Sequence, residues 1–353
     1  MKVAVYTIAL NEEKHVERWY ESAKDADYLL IADTGSTDRT VEIAKSLGIN
    51  VINIKIDPWR FDDARNAALA ALPPDIDYCI SLDMDEVLVG DWKKELPEAL
   101  KFNITRPIHK FVYGWNDDGT PSVSFDGVKI HARRGYRWRF PIHEAVCAYK
   151  IPETRAKIDL TIHHFPDNDK SRKHYLDILE MAVEETPTDS RMLYYLGREY
   201  CYRQRFYDGL QTLKKYLEFS VFPAERSYAL RIMAKCDPDN AEQHLQQSIN
   251  EYVCREAVLA LANYYYQHTK WEDCFRTATR ALTITEKKTD FLSEGWAWGH
   301  MADDLCAISA WQLGEWKLAV EHGKKAVELS PDDERLQNNL KFYRDKANEI
   351  SQR

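Results

Sequence analysis

The stretch Tyr78-Cys79-Ile80-Ser81-Leu82-Asp83-Met84-Asp85-Glu86 decides the fold of the N-terminal half. Five apolar or small residues, too few for a helix, run straight into three carboxylates, the pattern of a buried strand that ends at a functional edge. Upstream, residues 62–72 read as a helix and 51–56 as a strand. The turn Asp33-Thr34-Gly35-Ser36-Thr37-Asp38 leads into another helix that ends near Leu47. Residues 28–32 and 3–8 are further short apolar runs, with a polar helical stretch at 12–24 between them. Strands alternating with helices predict a parallel sheet covered on both faces. Such sheets bind ligands at the carboxyl ends of their strands, which singles out residues 9–13, 33–38 and 83–86. Downstream, residues 108–113, 122–131 and 136–140 alternate and are rich in aromatics, as expected of strands that complete the same domain.

From about Ser171 the texture becomes helical, and an internal repeat emerges. Leu193, Leu196, Gly197 and Tyr200, followed by Gly209, Leu213 and Tyr216, have tetratricopeptide-like spacing. Val258, Leu261, Ala262 and Tyr265 repeat it, followed by Cys274, Ala278 and Ala281. Ala307 and Ala310, then Ala319, Gly323, Ala326 and Pro331, make a third copy. Small residues let paired helices approach, and the large ones fill the space beside them. Residues 223–252 read as a degenerate unit, and the chain after Asp332 as a capping helix. The expected division is an α/β domain over residues 1–180 and an all-α repeat domain over 181–353.

Composition bounds the function. The 353 residues are 44% hydrophobic and 30% charged, with a net charge of −9. That balance fits a globular protein and not one whose work is gripping nucleic acid. The seven cysteines form no C-x-x-C pair, which suggests free thiols in a reducing compartment. No run is long and apolar enough for a membrane span. The apolar start is short for a signal peptide and is cut by Asn11-Glu12-Glu13, so a cytoplasmic location is expected.

Several residues carry chemistry. Asp83 and Asp85 at a strand end offer hard oxygen ligands for Mg²⁺ or Mn²⁺, and would face the same way if the strand stays extended. An acidic surface turn has the same sequence. Asp33 can accept a hydrogen bond from a base, or simply form an Asx turn with Gly35 and Ser36. Arg65 can pair with a diphosphate, or sit on a solvated helix face near Asp62 and Asp63. Lys129, His131, Arg133, Arg134, Arg137 and Arg139 form a basic cluster in an acidic chain. Positions 129, 131 and 133 would share a strand face and attract a diphosphate or an acidic acceptor.

In order and spacing, four segments together resemble the family-2 glycosyltransferases of GT-A fold. They are Ile8-Ala9-Leu10-Asn11-Glu12-Glu13, Ile31-Ala32-Asp33-Thr34-Gly35-Ser36-Thr37-Asp38-Arg39-Thr40, Ala64-Arg65-Asn66 and the Asp-x-Asp segment Leu82-Asp83-Met84-Asp85-Glu86. Pro141-Ile142-His143-Glu144 and Ile162-His163-His164-Phe165 are similar to one branch of that family. That branch includes lipopolysaccharide-core-type enzymes and enzymes that glycosylate ribosomally made peptides, some with a helical repeat tail. The first segment departs from the family in lacking its usual proline.

The resemblance implies that Ala9, Glu13, Asp33, Arg65 and Asp83 line the nucleotide-sugar site, with Asp33 at the base and Asp83 at the ribose or sugar. It implies Asp85 as the metal ligand, helped by His163 or His164. Glu144 is the candidate general base for an inverting transfer, with His143 orienting it or the leaving group. A salt bridge from Glu144 to Arg137 or Arg139 is the structural alternative, and Asp126 the next candidate base.

The expected activity is metal-dependent transfer of a hexose from a nucleotide sugar, uridine-linked, to an acceptor. The repeats would hold a protein or peptide acceptor or pair two subunits, with Tyr195, Tyr202, Tyr265, Tyr266, Trp296 and Trp298 as candidate contacts. The rivals are a nucleotide-binding scaffold without turnover and another metal-dependent nucleotidyl or phosphoryl transferase.

Overall fold

The computed structural model describes residues 1–116, 118–166, 174–288 and 292–351, so residues 171–173 of the expected helical stretch lie outside it. The chain divides into two compact units, Met1–Pro187 and Thr188–Arg353. The division expected after residue 180 falls inside the last helix of the first unit, and the units part a few residues later.

The first unit opens with β1 (Val3–Ala9), α1 (Val16–Ala23), β2 (Tyr28–Asp33), α2 (Thr40–Ser46), β3 (Asn50–Asn53), α3 (Phe61–Ala71) and β4 (Tyr78–Ser81). It continues through β5 (Glu86–Val89), α4 (Trp92–Lys101), β6 (Arg106–Trp115), β7 (Pro121–Gly127) and β8 (Ile130–Ala132). It ends with β9 (Tyr136–Arg139), β10 (Ala145–Ala148), β11 (Arg155–His164) and α5 (Tyr175–Glu185). The main sheet has the order β3-β2-β1-β4-β8. β1, β2, β3 and β4 run parallel, and β8 lies antiparallel on β4. A second sheet has the order β5-β11-β6-β7, and β9 pairs with β10 apart from both.

β1 reads VAVYTIA because both its faces are covered: Val3, Val5 and Ala9 enter one core and Ala4 and Tyr6 the other. Trp19 of α1 is fully buried, and its indole donates to the Leu82 carbonyl at 2.8 Å, fastening α1 to the carboxyl end of β4. Asn66 of α3 exchanges two 2.9 Å hydrogen bonds with the backbone of Trp138 on β9. Trp138 in turn donates to the Tyr6 hydroxyl at 2.8 Å. Two tryptophans thereby set how α1 and α3 approach the strand ends. The expected strand at 122–131 is two strands, β7 and β8, belonging to different sheets. β11, parallel to β6 and antiparallel to β5, was not read from the sequence.

The second unit is helical: α6 (Ser190–Tyr202), α7 (Phe206–Phe219), α8 (Pro223–Cys236), α9 (Ala241–Glu251), α10 (Arg255–Gln267), α11 (Trp271–Leu282), α12 (Met301–Gln312), α13 (Trp316–Leu329) and α14 (Glu334–Ser351). α6 packs on α7, α8 on α9, α10 on α11 and α12 on α13, with α14 against α13. The three copies read from the sequence are the first, third and fourth pairs, and the degenerate unit is α8 with α9. Gly197 and Gly209 show why small residues recur. A Cβ on Gly197 would meet Leu213 at 2.7 Å, and one on Gly209 would collide with the Cys201 sulfur. No helix of the described residues is long and apolar enough to cross a membrane.

Candidate active site

Three segments meet at the carboxyl ends of β1, β2 and β4. Asn11, in the left-handed region at φ 56°, accepts from the Thr37 amide at 2.8 Å, and its own amide donates to Ser36 Oγ at 2.9 Å. The Glu12 amide donates to Thr40 Oγ1 at 2.7 Å, and Glu13 Oε2 accepts from the Arg39 amide at 3.0 Å. Thr34 donates twice to the Ala9 carbonyl, through its amide at 2.9 Å and its hydroxyl at 3.0 Å. Residues 9–13 and 33–40 therefore interlock as one rim. Asp33 is buried and forms the Asx turn: its carboxylate accepts from the Gly35 amide at 3.0 Å and the Ser36 amide at 3.1 Å. Gly35 carries φ +114°, which a side chain would rarely adopt.

Beyond β4 the chain does not stay extended. The Glu86 amide donates to the Asp83 carbonyl at 2.9 Å, and Glu86 Oε2 accepts from the Asp83 amide at 2.9 Å, so residues 83–86 form a turn. Asp83 and Asp85 consequently do not alternate as on a strand, and they have different partners. Asp83 Oδ1 lies 2.7 Å from Arg65, and Oδ2 lies 2.7 Å from Lys129. Lys129 also reaches Glu86 Oε1 at 2.5 Å. Arg65 bonds Glu144 Oε1 at 2.6 Å and Ser81 Oγ at 3.3 Å, with its guanidinium 4.8 Å from the Trp138 ring centroid. One network thus runs Glu86–Lys129–Asp83–Arg65–Glu144.

The electrostatics follow from this wiring. Burial alone would push the Asp83 carboxyl up, but Arg65 and Lys129 outweigh it and hold it well below the usual carboxylate range. Burial, followed by the nearby Asp83 charge, pushes Glu86 up against the opposing pull of Lys129. Burial also works against the charge on Arg65, and Asp83 and Glu144 more than compensate.

The solvated-face reading of Arg65 fails, since its side chain is 8% exposed. Glu144 does make a salt bridge, but with Arg65 of α3 and not with Arg137 or Arg139, which lie over the Tyr149 and Phe140 rings. His143 adopts φ 50° and packs edge-on to Tyr175 of α5, 6.3 Å between centroids. The expected basic face does not form. β8 holds only Ile130–Ala132, and the cations around it serve separate purposes. Lys129 joins the network. His131 is buried, 3.2 Å from the Tyr6 hydroxyl, and Arg133 donates to the Leu72 and Pro73 carbonyls. Asp126, on the second sheet, pairs with Lys157 at 2.8 Å and stands apart from the network.

On the other side of the turn, Asp85 Oδ2 lies 3.6 Å from His164 Nε2, and the Asp85 carbonyl accepts from the Phe165 amide at 2.9 Å. Burial lowers the His164 basicity, but Asp85 and the Tyr113 carbonyl outweigh it and raise it. Neighbouring residues on a strand point to opposite faces, so only one of His163 and His164 can address Asp85. It is His164; the His163 ring packs edge-on to Trp115, with centroids 4.7 Å apart. Among the described residues no cluster of three His, Cys, Asp or Glu side chains could enclose a metal ion by itself.

Residues 4–138 match the family model described as glycosyl transferase family 2. The first unit carries a family 2 glycosyl transferase domain. Among curated relatives, an uncharacterized glycosyltransferase of Rickettsia bellii is 31% identical over 102 residues, covering 29% of this chain and 32% of the relative. The lipopolysaccharide core biosynthesis glycosyltransferase LpsC of Rhizobium meliloti is 25% identical over 164 residues, covering 43% of this chain and 58% of LpsC. A TPR repeat-containing protein of Synechococcus elongatus is 36% identical over 114 residues, covering 30% of this chain and 27% of that protein. The chain spans less than two thirds of each of these relatives. Among solved structures, MamA matches with a TM-score of 0.38 at 18% identity, covering 48% of this chain and 99% of MamA.

In the transferase domain, Asp85 and His164 offer one carboxylate oxygen and one imidazole nitrogen on the same side of the turn. An incomplete protein shell of that kind suits Mg²⁺ or Mn²⁺, which keep positions for phosphate oxygens. Lys129 and Glu86 are the members of the network whose part was missed in the sequence. The register Ile80↔Ile130 brings Lys129 to the end of β4, and nothing local to either segment announces that pairing.

Proposed function

We propose that the transferase domain moves a hexosyl group from a uridine-linked nucleotide sugar to a hydroxyl or thiol acceptor, with a divalent cation and inversion at the anomeric carbon. One observation carries the reading: Arg65 ties Asp83, just past the carboxyl end of β4, to Glu144, at distances of 2.7 and 2.6 Å. A donor-side carboxylate and a candidate base are thus held by one rigid fork. Glu144 takes the acceptor proton as the acceptor atom attacks the anomeric carbon and the bond to the diphosphate breaks. Asp83 faces the ribose or sugar, while the rim of residues 9–13 and 33–40, with Ala9, Glu13 and Asp33, receives the nucleoside. A cation held by Asp85 and His164 would offset charge on the diphosphate. Location in a reducing cytoplasm is part of the same proposal.

The repeats of the second unit select a proteinaceous acceptor, or pair two chains so that an acceptor groove forms. Tyr202 and Trp296 are exposed and suit that role, whereas Tyr265 is buried and donates to Glu242 at 3.1 Å.

The deciding experiment supplies nucleotide sugars one at a time with Mn²⁺ and follows release of nucleoside diphosphate. One donor should be turned over slowly by water alone, and both excess chelator and Asp85→Ala should stop it. Full turnover in chelator removes the cation from the proposal. Nucleotide binding without turnover of any donor favours the scaffold reading. Ending the chain after Pro187 should spare donor hydrolysis and abolish transfer to the true acceptor. Transfer at the full-length rate would remove the repeats from acceptor selection.

A further inference from the structure

Two cysteines that the sugar-transfer reading leaves unused lie in contact in the second unit. Cys201, near the end of α6, and Cys236, the last residue of α8, are 35 positions apart in sequence, yet their sulfurs stand 2.6 Å apart. Non-bonded sulfurs prefer roughly 3.6 Å, about the sum of two sulfur radii. The two helices are the first members of consecutive pairs, and α7 crosses between them in the chain. The close approach is built in on one side. Gly209 of α7 abuts the Cys201 sulfur, where a Cβ could not fit, so Cys201 has little room to turn away from Cys236. The two thiols also differ in access. Cys201 is buried, while Cys236 is half-buried between exposed Lys235 and half-buried Asp237.

We infer that Cys201 and Cys236 form a two-electron oxidation site, closed to an intramolecular disulfide by a small-molecule disulfide such as oxidised glutathione. The accessible member reacts first. Cys236 loses its proton to solvent, and its thiolate attacks one sulfur of the oxidant, giving a mixed disulfide and releasing one glutathione thiolate, which takes up a proton. Cys201 then gives up its proton and attacks the Cys236 sulfur, and the second glutathione leaves as a thiol. Overall, two protein thiols and one glutathione disulfide become one protein disulfide and two glutathione thiols. Cys274 and Cys306 are buried thiols with acidity weakened by that burial, so they stay reduced under the same conditions. The bond ties the first helix pair to the second and closes a loop in the unfolded chain, which stabilises this unit when oxidised.

The full-length protein, incubated with graded ratios of oxidised to reduced glutathione, tests this by peptide mapping and thermal unfolding. The expected result is a cross-linked peptide joining Cys201 and Cys236, a mass 2 Da below the reduced chain as two hydrogens leave, and a higher unfolding midpoint. Dithiothreitol reverses all three. Cys201→Ser should leave Cys236 as a stable glutathione adduct, which separates loss of the partner from loss of the fold. Cys274→Ser should change nothing in the map. Persistent glutathione on Cys236 in the wild-type chain, or cross-links that instead involve Cys254 or Cys274, would overturn the inference.

Discussion

In the first unit, two cations hold three carboxylates in one connected web at the carboxyl end of β4. In the second unit the buried charges are dispersed. Glu256 accepts from Ser293, the Glu294 amide and Trp298; Asp303 holds His322 at 2.8 Å; Arg226 holds Glu251 at 2.7 Å. Each of these fastens neighbouring pieces of a helical stack, Arg226 reaching the Leu217 and Ser220 carbonyls as well, and none of these contacts links one of the three to another. Removing a member of the web strands several charges at once, whereas removing a pair in the stack disturbs one joint. The contrast marks where the molecule has committed stability to holding reactive groups and where it has committed it to shape.

The largest effect that would sharpen the contrast is on turnover. Glu144→Gln should keep nucleotide-sugar binding and lose about 10²- to 10⁴-fold in transfer, the usual cost of removing a general base. Glu256→Gln, at a still more buried carboxylate of the stack, should leave the chemical step alone. Single-turnover rates with saturating donor decide it, and an unchanged rate for Glu144→Gln moves the base elsewhere.

Stability comes next. Arg65→Met removes a guanidinium that is only 8% exposed and takes the ion-pair partner from Glu144, whose side chain is 13% exposed, while Asp83 keeps Lys129, so a loss of about 3 kcal/mol is expected. Arg231→Met in the stack leaves Glu294, whose side chain is 30% exposed and can turn to water, so about 1 kcal/mol is expected. Urea unfolding of both variants measures the gap, and equal losses would dissolve the distinction between web and stack.

The same contrast explains what could be read from the sequence. The four motifs, the parallel sheet and the repeat copies were legible because each is a local pattern: a strand ending in acids, or small residues at helical spacing. The web was not, since Arg65 and Glu144 lie 79 positions apart and Lys129 meets Asp83 across 46. The candidates for Glu144 were its sequence neighbours Arg137 and Arg139, but the pleat and two nearby rings take those away. The choice between His163 and His164 needed the strand's face, which one residue of register reverses. The basic cluster misled because its spacing assumes a strand longer than the three residues of β8.

A smaller effect tests packing in the stack. Gly209→Ala places a methyl against the Cys201 sulfur and close to the Gly197 carbonyl, so α6 and α7 must part. The expected cost is about 1–3 kcal/mol, as for other overpacked sites. Gly119→Ala in the first unit meets open space, though its positive φ of +79° still carries a backbone strain of about 1 kcal/mol. Thermal unfolding of the two variants should rank them in that order, and the reverse ranking would mean that the helices are not in close contact at Gly209.

The last effect is a slope in pH, and its sign differs between the units. His109 and His131 are buried in the first unit, which pushes both imidazoles down to about 3 from an ordinary 6.5. Between those values the unfolded chain binds protons at these positions and the folded chain does not, so their contribution is lost as pH falls. Glu86 is pushed upward, so over part of the same range the folded state keeps a proton that the unfolded chain has lost, offsetting one histidine. The net is about one proton, or about 1.4 kcal/mol per pH unit, with stability falling on acidification from about 6.5 toward 4.5. In α8, burial raises the Glu225 carboxyl, and there the sign is opposite: the folded state holds the extra proton, and stability falls as pH rises above the ordinary glutamate value. Hydrogen exchange read by mass spectrometry, corrected for intrinsic rates, separates the two in one experiment. Peptides from β1, β4 and β8 should lose protection on acidification, while peptides from α7 and α8 should hold or gain it. Parallel slopes in both sets would show that the first unit does not keep His109 and His131 neutral in its core.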